Sequence, residues 1–211
     1  MRTGDQLIKR YTYQIRLWHW LNAIIIFGLL LTVLINHILF SVDEQTANIK
    51  EMLKNTGAIV STTQARAVAH GMEDKVWDLH IYLGYALATL FLYRICHEVL
   101  TKSSTSFVAN LQKTWRVYLT KKVKSTRHEL AIKILYLFFY GLLLVMVLTG
   151  LSISFDDELG AAKAYRHGLK EIHGFCMYLI LGFILLHLIG VFLGELKDKK
   201  GIVSAMISGG N

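Results

Sequence analysis

IHGFCMYLILGFILLHLIGVFLG, running from Ile172 to Gly194, holds no Asp, Glu, Lys or Arg and carries two histidines, His173 and His187. A helix needs about 20 mostly apolar residues to cross the hydrocarbon of a bilayer, and this stretch supplies them. Three others do the same, at about 17–40, 76–97 and 132–155. Each is too long for a strand and too apolar for a surface helix, and a lone strand in lipid would leave its backbone groups unpaired. The reading is an all-α membrane protein, an antiparallel four-helix transmembrane bundle, organised as a single domain over residues 1–211. Composition agrees: 54% of the chain is hydrophobic and 18% charged, against about a quarter charged in soluble domains. The spans leave no large soluble core, which excludes a water-soluble enzyme. Two cysteines exclude a disulfide scaffold. There is no proline, so no helix has that reason to kink.

The net charge of +8 resembles a nucleic-acid signal until its placement is read. Fifteen of the 23 Lys and Arg residues fall on one side of the spans: Arg2, Lys9, Arg10 and Arg16, then the connection holding Lys102, Lys113, Arg116, Lys121, Lys122, Lys124, Arg127 and Lys133, then Lys197, Lys199 and Lys200. The other side is acidic, with Asp43, Glu44, Glu73, Asp74, Asp156, Asp157 and Glu158. Basic loops stay in the cytoplasm, so both termini are expected there. The patch then faces lipid headgroups, not nucleic acid. No cleavable signal peptide is evident, because the first apolar segment starts late, is long, and lacks a small-residue cleavage pattern. In the long connection 41–75, Ser61 with Gln64 resembles a capping box opening a helix of about 62–73. Ala65, Val68, Ala69 and Met72 would form its apolar side.

Ionisable groups inside a membrane are costly and usually have a partner and a job. His19, His37, His80, His97, His173 and His187 lie within or at the ends of the spans, while His70, His128 and His167 read as solvated loop residues. His173 and His187 are 14 residues apart; 14 steps of about 100° return to within about 40° of one face. They stand roughly 21 Å apart along the axis, too far to share a metal ion, which suits two sites. His80 reaches the level of His173, and His19 that of His187 if the first helix begins near Tyr11 or Tyr13. Two inward pairs of imidazoles suit two b-type haems, since bis-histidine ligation fills both axial positions and favours electron transfer. Gly28, Gly84, Gly141, Gly150, Gly174, Gly182 and Gly190 could admit a porphyrin, or simply helix–helix contact. His37, 18 residues after His19, faces the same way at the opposite end and could replace His80. His97, 17 residues after His80, is turned about 100° away and reads as an interfacial residue or a polar neighbour of a pocket. Cys96 precedes His97, but covalent haem attachment would need a second cysteine at Tyr93. Cys96 and Cys176 lie toward opposite ends of their helices, too far apart for a disulfide. Arg16, within one turn of His19, can pair with a haem propionate or snorkel to lipid phosphate. On the other side Lys75, Arg166 and Lys170 are within reach.

Arg16-Leu17-Trp18-His19-Trp20 resembles the opening of the first helix in bacterial di-haem cytochromes b, a group that includes cytochrome b561 and the membrane subunits of nickel–iron hydrogenase and formate dehydrogenase. His80 to Tyr85 followed by Arg94 resembles the second-helix motif, His173 and His187 match the fourth-helix pair, and 202–209 is similar to a tail in the same group. The resemblance covers about 11–209. It implies that His19 and His187 hold a cytoplasmic-side haem and His80 and His173 an external-side haem, with Arg16 and Arg94 among the cofactor-binding residues. It also implies a multi-pass protein of the bacterial inner membrane that exchanges electrons between quinone and a partner on the external face. That partner is a hydrogenase- or dehydrogenase-like enzyme, a periplasmic cytochrome, or a small oxidant such as superoxide. The departures are the long first connection, His37, His97 and the lack of proline.

Quinone stays in the bilayer and needs polar donors near a haem edge in a mostly apolar site. Arg16, Trp20, Asn22, Arg94 and His97 offer these at the cytoplasmic end, and Asn36, His37 and Trp77 at the external end; the resemblance favours the first. A transition-metal permease using the histidines as transient ligands is the alternative from another class. Transport favours midplane carboxylates or broken helices, and no Asp or Glu lies in the middle of a span.

Overall fold

A computed structural model of the chain describes residues 12–100, 107–121, 124–155, 165–197 and 201–209. Among these residues there is no strand, and seven helices follow one another. They are α1 (Tyr13–Ile38), α2 (Val42–Asn55), α3 (Thr62–Leu100), α4 (Phe107–Lys121), α5 (Lys124–Ser154), α6 (Arg166–Lys197) and α7 (Ile202–Ser208). Four of them, α1, α3, α5 from Glu129 and α6 as far as Leu196, are long and apolar enough to cross a membrane. The all-α membrane-protein class is therefore as expected. Their outward faces are strongly apolar: Phe27, Phe138, Phe175 and Phe192 are all exposed. Large side chains left uncovered at this density belong against lipid, not water.

The connection between the first two spans differs from the sequence reading. The capping box forms as expected, with the Ser61 amide donating to Gln64 Oε1 (2.9 Å) and the Gln64 amide to Ser61 Oγ (3.2 Å). The helix it opens does not stop near Glu73 but continues through the second span as one 39-residue helix. Gly71 is the only glycine of α3 before the span, and a single glycine costs about 1 kcal/mol, too little by itself to end the helix. Three further helices, α2, α4 and α7, were not anticipated. Arg2, Lys9, Arg10, Lys102, Lys122, Lys199, Lys200, Asp156, Asp157 and Glu158, which entered the charge count, lie outside the described residues.

The chain divides into two compact units: Trp20–Leu87, and the described parts of Met1–His19 with Ala88–Asn211. In the first unit α1 and α3 approach closely at Gly28, where a Cβ would meet Leu83 Cδ1 at 3.1 Å. Asn36 Nδ2 reaches the Glu73 carbonyl at 3.5 Å. Lys50 Nζ donates to Thr62 Oγ1 (2.7 Å) and Arg66 pairs with Asp43 (3.3 Å), tying α2 to the start of α3. Ala65 and Ala69 are buried, whereas Val68 and Met72 are exposed, so the covered side of this segment is narrower than expected.

In the other unit α5 and α6 pack along one another. Leu143 is fully buried, and the Phe139 and Phe183 rings stack at 4.3 Å. Lys133 Nζ joins α4 to α5 through Thr114 Oγ1 (2.6 Å) and Glu129 Oε1 (2.7 Å). The short α7 is held at both ends. The Glu195 carboxylate accepts from the amides of Gly201 (2.7 Å), Ile202 (2.9 Å) and Val203 (3.3 Å), and Arg16 Nη1 donates to the Ile207 carbonyl (2.7 Å). An anion at the N-terminus and a cation at the C-terminus both complement the helix dipole. Gly209 has φ +97° and lies against the guanidinium, so a side chain there would be strained and would crowd Arg16.

Candidate functional site

The stripe that α6 presents inward consists of His173, Cys176, Ile180, Phe183 and His187, all buried or half-buried, at alternating offsets of three and four residues. Leu185, Leu186 and Leu188 beside His187 are exposed. The shared face expected from the 14-residue spacing is therefore present, and it ends in a histidine at each end.

At one end His187 meets His19 of α1, their ring centroids 6.3 Å apart and their planes inclined by 51°. A metal–imidazole bond is about 2 Å, and a ring nitrogen stands roughly another ångström from its ring centre. Two imidazoles on opposite sides of one metal therefore have centres about 6 Å apart. Phe183 lies parallel to His187 (6.0 Å, 8°) and stacks on Phe139. Beside His19, Trp18 Nε1 donates to the Leu90 carbonyl (3.1 Å). The Arg94 guanidinium lies over Trp18 (5.6 Å), donates through Nε to Tyr140 Oη (3.4 Å) and pairs with Glu98 (3.7 Å). Arg16 Nη1 is engaged by Ile207, but its Nε is buried with no hydrogen-bond partner among the described residues. The Nδ1 of His97 is in the same condition.

At the other end of the stripe, His173 Nδ1 lies 2.9 Å from Thr149 Oγ1. Its ring lies against Gly150, where a Cβ would stand 3.2 Å from Cε1. In the Trp20–Leu87 unit, His80 Nδ1 lies 2.8 Å from Thr32 Oγ1, with Trp77 edge-on at 5.4 Å. His37 is exposed, and Asn36 is buried. Trp20 is exposed and Asn22 buried, both in that unit as well. Lys75 pairs with Asp78 at the surface, and Arg166 and Lys170 are exposed. His70 and His167 lie in α3 and α6, not in loops as expected; both are exposed and pair with Glu73 and Glu171 across one helix turn. The His128 side chain lies outside the described residues. Among the described residues no three His, Cys, Asp or Glu side chains converge on a common point.

Sequence reasoning missed Thr32, Thr149, Tyr140 and Glu195. The threonines carried a weak signal, as hydroxyl residues inside two mostly apolar spans.

A family profile for prokaryotic cytochrome b561 matches residues 10–209. The chain belongs to the prokaryotic cytochrome b561 family. It is thus a haem-containing prokaryotic membrane protein of electron transfer. No curated protein and no solved structure matches it. The residues of this cytochrome fit a haem on two counts. The His19–His187 spacing leaves room for one metal between the imidazoles, and Arg16 Nε, without a partner among the described residues, could donate to a propionate.

Proposed function

We propose that this cytochrome holds two b-type haems, one between His19 and His187 and one between His80 and His173, and carries electrons across the membrane between quinone and a redox partner on the external face. The observation that carries this reading is the 6.3 Å separation of the His19 and His187 rings. A haem held by His19 and His187 would supply one-electron transfer. The residues of the chain do the rest. Phe183 lies parallel to the His187 ring and stacks on Phe139, and Arg16 offers Nε to a propionate while its Nη1 keeps the tail in place. The choice of His80 over His37 is supported by exposure: His37 is uncovered, while His80 is half-buried and bonded to Thr32.

Both termini lie on the cytoplasmic side in this reading, and quinone meets the protein at that side. There Arg94 is set among Trp18, Tyr140 and Glu98, and the buried His97 Nδ1 is a polar group for a ring carbonyl. The external partner is an enzyme of the hydrogenase or dehydrogenase kind, a periplasmic cytochrome, or a small oxidant.

The test is a reduced-minus-oxidised spectrum of the purified protein with haem quantified per chain. Two extractable haems are expected, falling to one in His19→Ala or His187→Ala. A single haem in the unmodified protein, or two in the His19→Ala variant, overturns the assignment. Quinol-driven reduction should slow in Arg94→Leu and His97→Leu and proceed normally in His37→Leu; the reverse pattern puts quinone on the other face.

A further inference from the structure

Thr32 and Thr149 make the same arrangement on different helices. Thr32 is 2% exposed and Thr149 7%. Thr32 Oγ1 donates to the Leu29 carbonyl (2.7 Å), and Thr149 Oγ1 to that of Val145 (2.7 Å), with Met146 farther off (3.3 Å). A hydroxyl has one hydrogen and two lone pairs. With the hydrogen given to the helix backbone, the oxygen can only accept from the imidazole nitrogen beside it. That nitrogen is Nδ1 in both cases, at 2.8 Å in His80 and 2.9 Å in His173. The proton therefore sits on Nδ1, and the lone pair that can bind a metal sits on Nε2.

We infer that Thr32 and Thr149 are positioning residues, each fixing the tautomer and orientation of its own histidine so that Nε2 is the nitrogen offered to haem. This rests on the reading of His80 and His173 as axial ligands. A simpler role, burying a histidine with its hydrogen bond satisfied, would call for any acceptor at either ring nitrogen. Here both rings meet the same residue type at the same nitrogen, and both hydroxyls are spoken for by their own helix. The bond also has an electronic consequence. An imidazole donating from Nδ1 is a more basic ligand, and the hydroxyl is polarised toward accepting because it is itself donating. A more basic ligand favours oxidised iron, so each threonine lowers the potential of that haem.

The experiment uses the full-length haem-loaded protein in detergent and reads haem per chain, midpoint potentials by redox titration, and the ferric low-spin EPR signals. Thr32→Val and Thr149→Val keep the shape of the side chain and remove the acceptor. Each should raise the midpoint of one haem, shift its EPR signal, and weaken its binding about tenfold, while the other haem is unchanged. Thr32→Ser and Thr149→Ser should restore all three. His80→Ala and His173→Ala are measured alongside. If both retain two haems, the ligand assignment falls and the inference with it. If both lose one haem but the valine variants keep wild-type potential and EPR, the ligands stand and the inference is overturned. Haem loss in a valine variant supports it when serine restores the haem and overturns it when serine does not.

Discussion

A methyl group at Gly150 would stand 3.2 Å from His173 Cε1, and the ring has little room to yield because Thr149, the preceding residue, holds its Nδ1. Overpacking of this kind costs about 1–3 kcal/mol. Gly150→Ala should therefore reduce occupancy of the haem assigned to His173 or move its potential. Gly174→Ala, where a Cβ meets nothing within 4 Å, should leave both haems as they were. Haem content and redox titration of the two variants check this, and equal behaviour would mean the contact does not constrain the ring. The spacing of His173 and His187 made their common face legible, because a helix's own period is written in its sequence. Which threonine meets which histidine was not legible. That depends on the register between helices, and a threonine inside a helix commonly bonds only its own i−4 carbonyl.

The short α7 is the element most open to a direct test. Its N-terminal amides are held by Glu195 and its Ile207 carbonyl by Arg16, so it ties the end of α6 to the beginning of α1, the two helices that bring His187 and His19 together. Glu195→Ala should speed amide exchange across 201–209 and loosen retention of the haem assigned to His19 and His187, with Glu195→Gln intermediate. Hydrogen exchange and haem retention through a detergent wash measure the two effects; unchanged exchange in Glu195→Ala would show that the carboxylate is dispensable. The four spans could be read from composition because membrane helices are apolar over their whole length. The amphipathic helices are harder, since a few turns with one covered face differ little from a polar loop. Even so, α2 does carry Asp43 and Glu44 in its first turn and Lys54 in its last. The Ser61–Gln64 box was legible, and the continuity of α3 was not, because a lipid boundary was taken for the end of a helix.

Orientation belongs to the whole molecule. On the proposed orientation, with both termini in the cytoplasm, Ile59, 96% exposed between α2 and α3, is expected on the opposite face. In a Cys96→Ser background, Ile59→Cys should react with a membrane-impermeant maleimide in intact cells with the outer membrane permeabilised. Ser204→Cys, on the exposed side of α7, should react only after the inner membrane is opened; the reverse order would invert the topology. The unbroken α3 also has a mechanical side. Its 39 residues, at about 1.5 Å each, make a rod of roughly 58 Å, and hydrocarbon accounts for only about 30 Å of that. The arm before the span is tied to α2 through Lys50 and Asp43, and α3 next bears on α1 where Leu83 meets Gly28. His80 sits one turn from that contact, on the side of the arm. A sideways load on the arm near Thr62 therefore reaches the imidazole as tilt rather than being absorbed by a flexible joint.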